Sequence, residues 1–119
     1  MKKDASPSGP TPRRDRSEVL PLKGEIDLHV SPSVTALLNA MIDKKPERLV
    51  VDLSSVTYID SAGLAALIAA MQRVEGYGGK FLLAGLQQPI WDIVENTRLD
   101  QVFQISQTRM LRWLRPDPT

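Results

Sequence analysis

Short apolar runs alternate along this chain with stretches whose apolar residues recur at helical spacing, and few folds accommodate that alternation. Glu18 to Asp27 reads as a strand carrying Val19, Leu20, Leu22 and Ile26. Pro21 cannot donate to a sheet ladder, so it belongs at an edge or a bulge, and Gly24 marks a bend or a close backbone approach. Ser31-Pro32 then suggests an N-cap followed by proline in the first helical turn. Val34, Leu37, Leu38, Met41 and Ile42 follow at helical spacing, up to Lys44-Lys45 and Pro46. Leu49 to Leu53 is a short apolar strand. A short loop with Val56 and Ile59 leads from it to Asp60-Ser61. A second helix places Leu64, Leu67, Ile68, Met71 and Val74 on one face and stops at Gly76, Gly78 and Gly79. Phe81 to Ala84 is the next strand, and Pro89 opens a third helix with Ile90, Ile93 and Val94 inward. Val102 to Ile105 is a last short strand, after which Ser106 caps a terminal helix bearing Met110, Leu111 and Leu114. Four strands alternating with four helices predict an α/β fold with a mainly parallel sheet and crossover helices.

The first 16 residues do not join this pattern. They hold Pro7, Pro10, Pro12, Gly9 and two serines, with no large apolar side chain after Met1. Such a segment cannot bury enough surface to offset its ordering entropy. It reads as a mobile, mildly basic, solvated arm ahead of one domain over 17–119, rather than as a membrane or nucleic-acid anchor.

Composition removes several chemistries. The 119 residues include 15 basic and 14 acidic side chains, no cysteine and one histidine, His29. Disulfides, thiolate catalysis and iron–sulfur clusters are excluded, and no metal site or cofactor is expected. A net charge of +1 speaks against a dedicated nucleic-acid binder. The longest strongly apolar stretch, Ala62 to Met71, is half of the roughly 20 residues a membrane span needs. No signal-peptide core follows Met1-Lys2-Lys3, so a cytoplasmic protein is expected. A serine hydrolase is not supported, because no G-x-S-x-G elbow is present. Gly76-Tyr77-Gly78-Gly79 fits neither phosphate-loop spacing.

The informative segment is V-V-D-L-S-S-V-T-Y-I-D-S-A-G-L, from Val50 to Leu64. It leads from a strand to an acidic residue and a serine at a helix start. Two readings of Ser61 compete. Its hydroxyl caps the first-turn amides, or it stands exposed at the carboxyl end of a strand, where open α/β sheets place binding sites. A phosphate there would meet the positive end of a helix dipole. Gly63 would let a partner backbone approach.

Several motifs occur in one order and at fitting spacing. They are Gly24-Glu25-Ile26-Asp27, the V-V-D-L-S strand, Asp60-Ser61-Ala62-Gly63-Leu64, Gly79 to Leu86 (G-K-F-L-L-A-G-L), and Asn96-Thr97-Arg98-Leu99-Asp100. Together, over about residues 18–114, they resemble the STAS domain of bacterial anti-sigma factor antagonists. The resemblance implies the STAS fold, a four- to five-stranded sheet with four helices, and a protein that is not an enzyme. It implies a partner switch. The unphosphorylated protein binds an anti-sigma factor that is also a serine kinase, and so frees a sigma factor. Phosphorylation of the serine after the aspartate, here Ser61, breaks the complex, and a PP2C-type phosphatase restores it. The partner surface implied comprises Asp27, His29, Asp60, Ser61, Ala62, Gly63 and Leu64, on a monomer or weak homodimer. Two departures stand out. The family's usual extra first strand would fall on Thr11 to Arg16, a poor strand sequence. Ala62 replaces a frequent second hydroxyl, which leaves Ser61 the single acceptor in the turn.

Structural readings stand beside these. Asp27 also suits a turn, and His29 an ordinary loop position. Asp60 either orients Ser61, opposes its phosphorylation by charge, or closes the turn. Trp91 and Trp113 are read as packing residues, and Arg109, Arg112 and Arg115 as favourable charge at a helix C-terminus. STAS domains also serve as cytosolic subunits of lipid transport systems and as scaffold pieces of sensory complexes. Binding to a histidine-kinase-like ATPase separates those uses from a partner switch.

Overall fold

A computed structural model describes residues 16–106. The N-terminal arm up to Asp15 and everything beyond Ser106, including the expected fourth helix, Trp113 and the three arginines, lie outside the described residues. The elements run β1 (Ser17–Ile26), α1 (Ser31–Ile42), β2 (Arg48–Ile59), α2 (Ser61–Gly76), β3 (Lys80–Ala84), α3 (Gln88–Asn96), a 3-10 turn (Leu99–Gln101) and β4 (Gln104–Ser106). The four strands form one sheet in the order β1-β2-β3-β4, and every pair is parallel. Strand–helix alternation predicts this, because a parallel neighbour requires a crossover.

β1 is an edge strand among the described residues, which is where Pro21 does no damage. Its register with β2 shifts between Pro21 and Lys23 and again between Gly24 and Glu25. Gly24 takes φ +78, a left-handed conformation that glycine adopts without strain.

The main departure from the sequence reading is β2. It continues for 12 residues to Ile59, not five, and the expected loop over Val56 and Ile59 does not exist. Val56 pairs with Gly24, Tyr58 with Glu25 and Ile59 with Ile26. The polar residues Ser54, Ser55 and Thr57 read as a loop, but pairing with the bulged half of β1 carries the ladder through them. A smaller correction concerns α1. Its N-cap is Val30, which forms no side-chain cap, and Ser31 is the first helical residue.

One apolar core joins the sheet to all three described helices. Leu49, Val51 and Leu53 of β2 and Phe81 and Leu83 of β3 meet Val34, Leu38 and Ile42 of α1, Leu64, Leu67, Met71 and Val74 of α2, and Ile90 and Val94 of α3. Each fully buried aliphatic or aromatic side chain of this kind contributes about 1.5–3 kcal/mol. Leu37, expected on the inner face of α1, is instead half exposed. Arg16 is tied to the body. Its carbonyl accepts from the Glu47 amide at 3.1 Å, and its guanidinium donates to the Lys44 and Lys45 carbonyls.

Candidate functional site

The parallel register ends with Ile26 opposite Ile59, so the β1–α1 loop and the start of α2 emerge side by side. The backbone stitches them together: the Asp60 amide donates to the Ile26 carbonyl at 3.0 Å. Six of the seven residues expected at the partner surface then lie in two short segments, Asp27 with His29 and Asp60 to Gly63. Leu64 follows one position later.

Asp60 is the N-cap of α2, with extended backbone. One carboxylate oxygen, Oδ1, accepts from the Gly63 amide at 3.0 Å. The other, Oδ2, accepts from the Leu28 amide across the loop, also at 3.0 Å. A single side chain therefore closes the helix and clamps the neighbouring loop. Of the roles open to Asp60 from sequence, closing the turn is the one the geometry displays.

Asp27 does the equivalent work inside the loop. Its Oδ1 accepts from the His29 amide at 2.9 Å and the Val30 amide at 3.2 Å. Its carbonyl accepts from the Val30 and Ser31 amides at 3.1 and 2.8 Å. The loop is thus a braced turn. His29 stands exposed on it.

Ser61 is not the cap, which the capping reading of the sequence required. It is the first residue of the 16-residue α2 and is exposed. As first-turn residues, Ser61 and Ala62 have amides with no intrahelical acceptor. A hydroxyl relieved of capping sits at the positive end of a helix dipole.

Gly63 and Leu64 face inward. A Cβ at Gly63 would lie 2.7 Å from Ile59 Cγ1, 2.8 Å from Ile26 Cγ2 and 2.9 Å from the Ile26 carbonyl oxygen. The close approach that Gly63 permits is therefore with the ends of β1 and β2. Leu64 is buried in the core.

Sequence reasoning passed over the apolar side chains beside this turn. Leu28 is 68% exposed and Val30 38%. Val30 and Leu37 line a shallow cavity of about 470 Å³ together with Pro21, Leu22, Lys23 and Val34. The available signal was D-L-H-V-S, where two apolar residues sit in a loop that no strand or helix face absorbs. Among the described residues, no group of three or more His, Asp or Glu side chains could hold a metal ion. No helix among them is long and apolar enough to cross a membrane.

Comparison with known proteins identifies the family and the fold. The STAS domain family matches residues 10–110. An anti-sigma-B factor antagonist of Listeria monocytogenes is 30% identical over 82 residues, covering 69% of this chain and 72% of its own length. The crystal structure of an anti-sigma factor antagonist from Mycobacterium paratuberculosis is 29% identical, with a TM-score of 0.67 over 73% of this chain and 74% of that one. The unphosphorylated form of the anti-sigma factor antagonist SpoIIAA shares the fold at 17% identity, with a TM-score of 0.63 over 83% of this chain and 87% of that one.

Proposed function

The chain belongs to the STAS domain family of anti-sigma factor antagonists, and from that premise we propose that it is a phosphorylation-controlled partner switch. In its unphosphorylated state it binds an anti-sigma factor that is also a serine kinase, and so releases a sigma factor. That kinase phosphorylates Ser61, the complex dissociates, and a PP2C-type phosphatase resets it. The chain is then a regulatory protein without catalytic activity of its own. The partner surface comprises Asp27, His29, Asp60, Ser61, Ala62, Gly63 and Leu64, presented by a monomer or weak homodimer. Gly63 and Leu64 serve this surface from below, by holding the turn in place.

One observation carries the reading. Asp60 takes the capping duty of α2, and the Ser61 hydroxyl is left exposed at the first helical position. A phosphoryl group there adds about −1.5 to −2 charges at pH 7. The helix N-terminus offsets part of that charge, by about 0.3–1 kcal/mol, while the Asp60 carboxylate next door opposes it. The free fold tolerates the group. A closely packed interface does not, because burying a dianion without prepared partners loses its hydration. A loss of about 3 kcal/mol would reduce affinity roughly a hundredfold.

The test is incubation with the cognate kinase and ATP, followed by mass spectrometry and a binding measurement. Phosphate on Ser61 and a hundredfold weaker complex are expected. Phosphate on Ser54, Ser55 or Thr57 with Ser61 untouched overturns the assignment. So does a phospho-Ser61 protein that binds as tightly as the unmodified one.

A further inference from the structure

The strand that delivers Ser61 outruns one of its neighbours. β3 pairs with β2 only as far as Asp52, opposite Ala84, whereas β1 follows β2 to Ile59, opposite Ile26. Among the described strands, the half of β2 from Leu53 to Ile59 therefore has a ladder on one side only. That ladder is irregular. Five steps along β1, from Pro21 to Ile26, face seven along β2, from Asp52 to Ile59, so β2 spends one extra residue at each register shift. Bulges are rare between parallel strands, and they recur beside functional sites, where they re-aim a side chain. The count matters because a slip of one residue turns every later side chain to the other face. Without the first extra residue, Ile59 and Asp60 would arrive one position out of step with Ile26. Asp60 could not then hold the Gly63 and Leu28 amides together, at 3.0 Å each.

The first bulge is pinned from two directions. Within β2, the Asp52 carboxylate accepts from the Ser54 amide at 2.9 Å. From outside, Gln87 Nε2 donates to the Ser54 carbonyl at 2.7 Å and to the Val56 carbonyl at 3.1 Å. Two carbonyls on one side-chain group demand a donor, and a primary amide has two hydrogens to give. Gln87 thus stands where β3 has ended. It is also the N-cap residue of α3, yet its side chain makes no cap. Its backbone carbonyl starts that helix, accepting from the Ile90 and Trp91 amides at 2.9 Å. The side chain is given to β2 rather than to its own helix. We propose that Gln87 is a positioning residue of the switch: its amide locks the β2 bulge, and so the register in which Asp60 and Ser61 meet the β1–α1 loop. The functional half of this inference rests on Ser61 phosphorylation by the partner kinase, and the register half does not. With the brace removed, the correctly registered turn becomes a fraction of the population. Apparent affinity falls by that fraction, while a turn in the correct register reacts as before.

The experiment compares two variants of the full chain: Gln87→Glu, which keeps the shape and removes the donor, and Gln87→Lys, which keeps a donor. In Gln87→Glu, amide exchange is expected to quicken about tenfold at Leu28 and Gly63, and by less than about twofold at Leu67 and Ala70 inside α2. The KM for this protein as the kinase's substrate should rise about fivefold with kcat unchanged. Gln87→Lys should stay within about twofold of the parent in both measurements. Exchange at Leu28 and Gly63, or a KM, equal to the parent's in Gln87→Glu overturns the proposal. So does a uniform rise in exchange across α2, which would make Gln87 a general stabiliser. Equal impairment of the two variants removes the donor's role and overturns it as well. A parent protein that the kinase leaves unphosphorylated on Ser61 overturns the switch and the functional half with it, and the exchange measurement alone then decides the register half.

Discussion

Two of the described helices begin with serine, and the two serines are treated differently. Ser31 opens α1 after Val30, which makes no side-chain cap. Ser61 opens α2 after Asp60, which caps it. Order at the first start comes from four residues back, where Asp27 gathers the His29 and Val30 amides. The Ser31 hydroxyl donates to the Leu28 carbonyl at 3.4 Å and is half-buried in its own loop. At the second start one aspartate closes the helix and reaches across to Leu28, and the serine beside it stays exposed. The same residue type at the same helical position is a loop brace in one case and a surface hydroxyl in the other. The difference lies in what precedes it.

The contrast breaks most severely at Gly63. Gly63→Val would drive a branched side chain into the Ile26 carbonyl and the Ile26 and Ile59 side chains. Backbone cannot yield as a flexible side chain can, so a destabilisation of about 3 kcal/mol is expected, the upper part of the overpacking range. Chemical denaturation measures it, and a midpoint within error of the parent would show that the turn relaxes freely. Partner loss in this variant would then reflect the fold and not a direct contact.

Asp60→Ala comes next. It removes the cap of α2 and leaves the Leu28 amide without its acceptor, with an expected loss of about 2 kcal/mol. Faster amide exchange at both Leu28 and Gly63 is the diagnostic, because one carboxylate holds both. Exchange that rises at Gly63 alone would separate the cap from the clamp. Asp27→Ala should lose about 1 kcal/mol and loosen only the His29 and Val30 amides.

The serines give the smallest effects on stability. Ser31→Ala and Ser61→Ala should each change it by no more than about 0.5 kcal/mol, but only Ser61→Ala should abolish phosphorylation by the kinase. Ser61→Asp should fold like the parent and bind the kinase weakly. A Ser31→Ala protein that also resists phosphorylation would remove the distinction between the two helix starts.

Among the described residues, the amino-acid pattern alone was enough for the alternation of strands and helices, the parallel sheet and most of the inward positions of α2 and α3. Their apolar residues repeat at 3.6, and the strand runs are nearly all apolar, as strands buried on both faces are. It also placed Ser61 at a helix start, through the motif and its family resemblance. The rest came from contacts between segments far apart in the chain. Val56 and Ile59 became strand because β1, itself bulged at Pro21 and Gly24, supplied a ladder that no local pattern announces. Whether Asp60 or Ser61 caps α2 depends on backbone angles and on an amide 32 residues away, Leu28, which comes within 3.0 Å only after the sheet has formed. Gly63 looked like an opening for a partner and proved to be the place where α2 presses on the ends of β1 and β2. Local periodicity records which side of an element avoids water. It carries no distance between segments far apart in the chain, and the site is made of such distances.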